Sequence, residues 1–219
     1  MLELNDEDGV WSKRRSRFWR ADWSKYSSAE RTKLTEFFTT YRDHVVREIG
    51  CAALAAWGSA TDLVAMLDDP VFIVRKSAAY QLCKVPQSHQ IAEKLWTVLN
   101  SVNTQSTYAI ETLESYTVHA PSEGLIDTLV ALVSNDARES IRCSAARHLL
   151  KLEAKESLHS LLPMLQNTPD ATWSLHIILI DACTEFHFDP PNLPELARID
   201  NFDLQCALAE FLAERANRK

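Results

Sequence analysis

The sequence predicts an all-α protein built from about five to six pairs of short helices. Only four of the 219 residues are glycines, and no run alternates apolar and polar residues for long enough to indicate a sheet. Apolar residues instead recur at helical spacing, and one helix-pair pattern returns along the chain. A chain of this length can bury a sizeable core, so we expect the pairs to pack on one another.

The clearest helix pair spans residues 62–86. Its first helix is expected over residues 63–67 and ends before Pro70, because the proline ring lacks an N–H donor and restricts the residue before it. Its second helix is expected over residues 71–85, with one apolar face formed by Val74, Ala78, Leu82 and Val85. A pair this short cannot bury both faces alone, so neighbouring pairs must cover it.

The pattern of this second helix recurs at two other places. The run VRKSAA at 74–79 returns as IRCSAA at 141–146, which is 67 positions later. A third version starts at Val46-Arg47, 28 positions before Val74. A spacing of 67 corresponds to two units of about 33 to 34 residues, which is typical of helical repeat arrays.

The remaining elements follow from local signals. Ser27 followed by Glu30 predicts a capping box at a helix start, and Gly58 predicts the end of a helix over 44–57. Consecutive prolines predict an extended segment over 188–194. Further helix pairs are expected over residues 89–118, 125–152, 158–186 and 194–213.

The apolar run, the Asp-Pro-type turn, the Val-Arg pair and the paired alanines together resemble the HEAT-repeat superfamily, especially its short bacterial HEAT-like branch. The resemblance covers about residues 44–215 and implies a right-handed α-solenoid whose second helices line a concave surface. It also implies that arginines and turn acids pair between repeats, which here concerns Arg47, Arg75 and Arg142 with Asp69 and Asp136. A row of bases that binds an acidic partner is the alternative for these arginines.

Residues 1–26 are predicted to precede a solenoid of residues 27–219. The first nine residues are an acidic tail, and residues 11–26 are expected to form a helix with six bases and one acid. Its aromatic residues share one side of that helix: Trp11, Phe18, Trp19, Trp23 and Tyr26. We expect this helix to cap the open end of the first repeat, because terminal units of repeat arrays are atypical. A partner-binding helix, a membrane-surface helix and a nucleic-acid arm are the alternatives.

Composition limits the cellular setting and the partner. The net charge of −7 argues against a protein that binds nucleic acid by bulk charge. No apolar stretch approaches the length of a membrane span, and the acidic N-terminus lacks the features of a secretory signal. The five cysteines are spread out without a CxxC pair, as expected in a reducing compartment. These features predict a cytoplasmic protein.

Enzymatic chemistry has little support in the sequence. There is no Gly-rich phosphate loop, no GxSxG elbow and no paired CxxC motif, so we expect no cofactor. The di-iron hydroxylase branch of the HEAT-like family relies on His-Glu dipeptides, and none occurs here. Glu185, His187 and Asp189 alternate as metal ligands could on an extended segment, but no second cluster supports them, so no metal is predicted.

The sequence therefore predicts a non-enzymatic scaffold that binds another protein along the second helices of its repeats. Exposed tryptophan, tyrosine and arginine side chains carry much of the affinity at such surfaces. The predicted contact residues are Arg75, Lys76, Tyr80, Glu111, Arg142 and Arg147 in the groove, and Trp19 and Trp23 at the N-terminal end. The alternatives are two other branches of the HEAT-like family. One acts on bilin chromophores, and the other removes alkylated bases from DNA, with Trp173, Asp181 and Arg142 as candidates here.

Overall fold

Every regular element in the structure is helical. The structure is a computed structural model that describes residues 21–101, 106–166 and 173–218. Within these ranges there are twelve α-helices and two 3₁₀ segments and no strand, which confirms the all-α prediction. The chain divides into two compact units, Met1–Ala120 and Pro121–Lys219.

The described part of the first unit contains three helix pairs in sequence order. The second helix of each pair packs beside the second helix of the next, so that α2, α4 and α6 form one layer, and each pair also packs internally. A 3₁₀ turn, Trp23–Lys25, precedes the helices and packs on α2. The helices are α1 (Ser28–Thr40), α2 (His44–Trp57), α3 (Ala60–Met66), α4 (Phe72–Leu82), α5 (His89–Leu99) and α6 (Ser106–His119).

The second unit has a similar layer of second helices. Its second helices are α8, α10 and α12, and α10 packs against both of the others. A 3₁₀ segment, Leu162–Gln166, follows α9. The helices are α7 (Leu125–Asn135), α8 (Glu139–Lys151), α9 (Lys155–Leu161), α10 (Trp173–Phe186), α11 (Leu193–Leu196) and α12 (Phe202–Asn217). None of the helices in the described ranges is long and apolar enough to cross a membrane.

The local signals in the sequence account for several helix ends. Ser27 caps α1: its hydroxyl accepts from the Glu30 N–H at 3.4 Å, and the Glu30 carboxylate accepts from the Ser27 N–H at 2.8 Å. Gly58 ends α2 at φ +73°, a left-handed conformation that glycine adopts without steric cost. The capping box and the glycine stop are both confirmed.

The repeated apolar positions form the cores of the two units. Val74, Ala78 and Leu82 of α4 are fully buried. The residues 67 positions later, Ile141, Ala145 and Leu149 of α8, are fully buried as well. The alanines leave room for a neighbouring helix to approach closely, so the same sequence pattern produces the same packing in both units.

Two predicted elements are wrong. The helix over 11–26 does not reach its predicted end, because Trp23 begins a single 3₁₀ turn that the Asp22 side chain closes by accepting from Ser24. Residues 1–20, with Trp11, Phe18 and Trp19, lie outside the described residues. The segment 188–194 is not extended throughout, because α11 begins at Leu193 with Pro194 in its first turn, where an N–H is not needed for helical bonding.

Candidate binding groove

A shallow groove lies on the layer of second helices in the first unit. It has a volume of about 290 Å³ and receives side chains from α2, α4 and α6. The residues that line it are Glu48, Ile73, Lys76, Ser77, Tyr80 and Glu111. Lys76, Tyr80 and Glu111 are three of the partner-contact residues that the sequence predicts.

One face of α4 forms the centre of the groove. Ile73, Lys76, Ser77 and Tyr80 follow one another at spacings of three, one and three residues, so they share a single side of the helix. The Ser77 hydroxyl donates to the backbone carbonyl of Glu48 at 3.4 Å, which links α4 to α2. Glu48 occupies the position of Lys76 in the neighbouring repeat, 28 residues earlier, so the repeat register could have identified it.

The charged side chains of the groove are buried or partly buried. The Lys76 ammonium lies 3.7 Å from the Glu111 carboxylate, and Glu48 is only 5% exposed. Burial, together with the charge of Glu114, raises the pKa of Glu111, and Lys76 only partly offsets this. The described lining therefore has two carboxylates to one ammonium, and the ionised form of Glu111 is costly to hold.

Tyr80 is the exposed aromatic residue of the groove. Its side chain is 46% exposed, whereas Phe72 and Ile73, which are also large apolar residues of α4, are half-buried. The Lys84 ammonium lies 4.7 Å from the ring centroid, within range of a cation–π interaction. The ring is thus positioned at the surface and available to a partner.

Arg75 belongs to the turn before α4 and not to the groove. Its guanidinium donates to the Asp69 and Pro70 carbonyls at 2.7 and 3.1 Å, and its central carbon lies 5.8 Å from the ring centroid of Tyr108. These bonds close the turn between α3 and α4, so the side chain is engaged in local structure. Arg75 therefore does not line this groove, and its role as a partner contact stays a prediction.

The other predicted contact residues are not part of the groove. Arg142 and Arg147 are both in α8 of the second unit, where Arg142 is half-buried and Arg147 is exposed. Trp19 lies outside the described residues. Trp23 is only 6% exposed, with its ring 5.8 Å from Phe38 between centroids, so its side chain is not available at the surface.

Trp23 and its neighbours cover one end of the first unit. The Trp23 and Trp57 rings meet edge to face at 6.0 Å, and Tyr26 stacks on Trp23 at 5.8 Å. The Trp57 indole N–H also donates to the Trp23 carbonyl at 2.7 Å. This packing agrees with the capping role expected for the aromatic residues near the N-terminus.

The predicted arginine–acid pairing between repeats occurs in the first unit. Arg47 of α2 donates two bonds to Asp69, at 2.7 and 3.0 Å, and both side chains are nearly buried. Burial disfavours the ionised carboxylate, but the bonds from Arg47 and from the Val71 N–H outweigh it, so the pKa of Asp69 is lowered. The pair ties α2 to the turn of the next helix pair.

The same pairing is absent at Asp136 in the second unit. Asp136 accepts from Arg138 at 2.9 and 2.7 Å, within its own turn. The corresponding residue two positions after Asp69 is Val71, which cannot compete for the carboxylate. Asp136 is therefore paired within its own turn, and the pairing of Arg142 with an acid of a neighbouring helix pair stays a prediction.

Metal-ligating side chains do not cluster in the ranges that the structure describes. No three His, Cys, Asp or Glu side chains there come together as a metal site. In the alternating segment at 185–189, Asp189 lies 3.0 Å from the Arg215 guanidinium, and the His187 ring bonds the Thr184 carbonyl. These contacts give both side chains structural partners.

Comparison with known proteins adds no functional assignment. The chain matches no protein-family model, and no curated protein matches it. The HEAT-repeat resemblance consequently rests on the residue pattern and stays a prediction.

Proposed function

We propose that this protein is a non-enzymatic scaffold that binds another protein through the groove on α2, α4 and α6. The observation that carries the proposal is the exposed Tyr80 ring beside the partly buried Glu111 carboxylate. In this proposal the helix pairs belong to a HEAT-like solenoid, and the layer of second helices is its binding surface. The side-by-side packing of those helices supports this use.

The charge of the groove favours a protein over an anionic ligand. Two carboxylates and one lysine among its described residues would repel a phosphate backbone, which is bound by an excess of Lys and Arg. The same repulsion acts on the carboxylates of a bilin pigment. A polypeptide can instead present a cation to the groove.

The partner is expected to insert a basic side chain next to an apolar one. A guanidinium placed beside Glu111 would stabilise its ionised form, which burial now disfavours, and could stack on the Tyr80 ring. An apolar neighbour would cover Ile73, which is half-buried on the same face of α4. Tyrosine is a residue type that often dominates binding energy when a partner covers it.

The test is partner capture with matched variants. The full chain, Tyr80→Ala, Glu111→Gln and Leu152→Ala would each be used to capture partners from lysate of the source cells, with bound species identified by mass spectrometry and absorbance. Leu152 is a suitable control because it is 47% exposed, close to the 46% of Tyr80, and lies in the second unit. The affinity of the purified partner would then be measured by calorimetry.

The proposal requires one stoichiometric protein whose affinity falls in both groove variants and stays unchanged in Leu152→Ala. Loss of a well-packed tyrosine contact is expected to weaken binding by about tenfold or more, since a hot-spot residue contributes about 2 kcal/mol. Nucleic acid or pigment in the eluate would contradict the proposal. So would a partner whose affinity is unchanged in both groove variants, since its site would then lie elsewhere on the chain.

A further inference from the structure

One segment of this chain has the chemistry that the groove on α2, α4 and α6 requires of a partner. That partner inserts a basic side chain next to an apolar one. Residues 11–20, which lie outside the described residues, have five bases and no acid. Within this segment the aromatic pair Phe18 and Trp19 stands between Arg17 and Arg20. The segment therefore offers both kinds of side chain at consecutive positions.

The α6 side of the groove holds two carboxylates that repel one another. Glu114 stands three residues after Glu111, so the two half-buried side chains share one face of α6. Burial, and then the charge of Glu114, raises the pKa of Glu111, while Lys76 at 3.7 Å only partly offsets this. Lys84 is exposed and lies against the Tyr80 ring instead. An arginine of the segment would add a second cation on the α6 side and relieve the repulsion.

The described chain begins close to this groove. The Trp57 indole, at the C-terminal end of α2, donates to the Trp23 carbonyl at 2.7 Å, and Ala21 packs against the same aromatic cluster. In the register of 28 residues that relates α2 to α4, Tyr80 stands at the level of Ala52. This level is five residues before Trp57, or about 7.5 Å along the helix. Adjacent helices lie about 8–10 Å apart, so the position of Tyr80 in α4 is about 12 Å from that of Trp57.

The segment is long enough to span this distance. An extended chain advances about 3.3–3.6 Å per residue, so Arg17 can lie up to about 14 Å from Ala21 and Lys13 up to about 28 Å from it. The bond between Trp23 and Trp57 can therefore stay in place while the segment reaches α4 and α6. A tether of this length holds the segment at an effective concentration of about 1 mM near the groove.

We propose that residues 11–20 bind in the groove of the same molecule and compete there with the partner. An arginine of the segment takes the place beside Glu111, and an aromatic neighbour covers Ile73 and Tyr80. This inference rests on the function proposed above, because it assigns a regulation to the same groove. The partner must then displace the segment, which lowers its apparent affinity. For a segment that binds at about 100 µM and is held at about 1 mM, the reduction is about tenfold.

The probe is a fluorescent synthetic peptide with the sequence of residues 11–20, and its binding is measured by fluorescence anisotropy. It is titrated with the unaltered full chain and with a full-chain glutamine variant, which combines Arg14→Gln, Arg15→Gln, Arg17→Gln and Arg20→Gln. The segment of the glutamine variant no longer competes, so this variant should bind the peptide about tenfold more tightly than the unaltered chain. Added to the glutamine variant, Tyr80→Ala and Glu111→Gln should each weaken peptide binding at least about fivefold, and Leu152→Ala should leave it unchanged.

Matched controls separate this contact from nonspecific attraction between charges. A peptide with Phe18→Ala and Trp19→Ala keeps all five bases and should bind at least about fivefold more weakly. Sedimentation velocity should show a monomer at the concentrations used, because binding within one molecule does not require a second copy. Circular dichroism measures the helix content of each variant. The double variant Arg17→Gln/Arg20→Gln takes the place of the glutamine variant if the latter loses helix content.

The inference is overturned if the unaltered chain and the glutamine variant bind the peptide equally, or if Tyr80→Ala and Glu111→Gln leave its affinity unchanged. It is also overturned by a chain that self-associates and binds the peptide more tightly on dilution, since the segment would then occupy a second copy. None of these results affects partner capture, which tests the groove by itself. A partner that is indifferent to both groove variants, with a peptide that depends on them, would instead refute the proposed function and the competition, while the contact within the chain stands.

Discussion

Replacing Asp69 by alanine tests the ion pair that links the first two helix pairs. The substitution removes the acceptor of two hydrogen bonds from Arg47, at 2.7 and 3.0 Å. It also removes the acceptor of the Val71 N–H at 2.8 Å, which holds the turn before α4. Because the Arg47 side chain is only 9% exposed, water cannot replace the lost partner efficiently.

The expected loss of stability is about 4 kcal/mol. Leaving one charge of a buried pair without its partner costs about 3–5 kcal/mol. The low end applies here, because Arg47 keeps its bonds to the Tyr41 and Arg42 carbonyls at 2.6 and 3.1 Å. The turn bond to Val71 adds about 1 kcal/mol. A loss of this size is a large part of the 5–15 kcal/mol that usually stabilises a domain.

Urea unfolding followed by tryptophan fluorescence is the appropriate assay. Five of the six tryptophans lie within residues 1–120, so the signal follows the first unit. The double variant Arg47→Met/Asp69→Leu should lose less unfolding free energy than Asp69→Ala, because it leaves no buried charge unpaired. Asp136→Ala breaks a local pair with the half-buried Arg138 in the second unit and should cost roughly 1–2 kcal/mol. This variant would be followed by far-UV circular dichroism, which reports the helices of both units.

The pH dependence follows from the direction of the Asp69 pKa. Folding lowers the pKa of Asp69, so the ionised carboxylate stabilises the folded state. This stabilisation is fully present above the unfolded-state pKa of 3.8 and is lost as the pH falls through the folded-state pKa. Asp69→Ala should therefore lose less stability than the unaltered chain when the pH is lowered through this range. The reasoning is refuted if Asp69→Ala costs less than about 1 kcal/mol, or no more than Asp136→Ala.

Three further predictions concern packing and protonation. Trp23→Ala should lower stability by about 3–5 kcal/mol in the same urea assay, since it empties a buried aromatic cluster. Gly50→Ala should lower the melting temperature by several degrees, because its new Cβ would overlap the Phe38 Cβ and lie 2.8 Å from Phe38 Cγ. Burial, with the charge of Lys151, lowers the pKa of His148 from 6.5 to about 4. The unfolded chain therefore binds more protons between these values, so stability should fall as pH drops through this window, and less steeply in His148→Leu.

Each of these has an outcome that contradicts it. An unchanged unfolding midpoint in Trp23→Ala would refute the capping role of the aromatic cluster. A stabilised Gly50→Ala would mean that α1 shifts freely and that the roughly 1 kcal/mol gain in helix propensity prevails. Equal slopes of melting temperature against pH for His148→Leu and the unaltered chain would show that burial of this imidazole does not control acid stability.

Part of the candidate groove could be predicted because its residues share one helix face. Lys76 and Tyr80 are four positions apart beside the apolar set of α4, so periodicity places them on the side away from the core. Glu48 was missed because its contribution depends on α2 lying next to α4, which is a long-range contact. Arg75 does not line this groove, because its long side chain folds back onto the carbonyls of its own turn.

The sequence by itself determined the helix pairs, the capping box at Ser27, the glycine stop at Gly58 and the buried faces of α4 and α8. These depend on local propensity and on spacings of three and four residues, which a single chain carries in full. Only the tertiary structure decided that Trp23 is buried while Phe202 is exposed. It also decided that Arg47 pairs with Asp69 of the next helix pair, whereas Asp136 pairs with Arg138 of its own turn. Burial and ion pairing depend on which elements pack against a residue, and these elements are distant from it in the sequence.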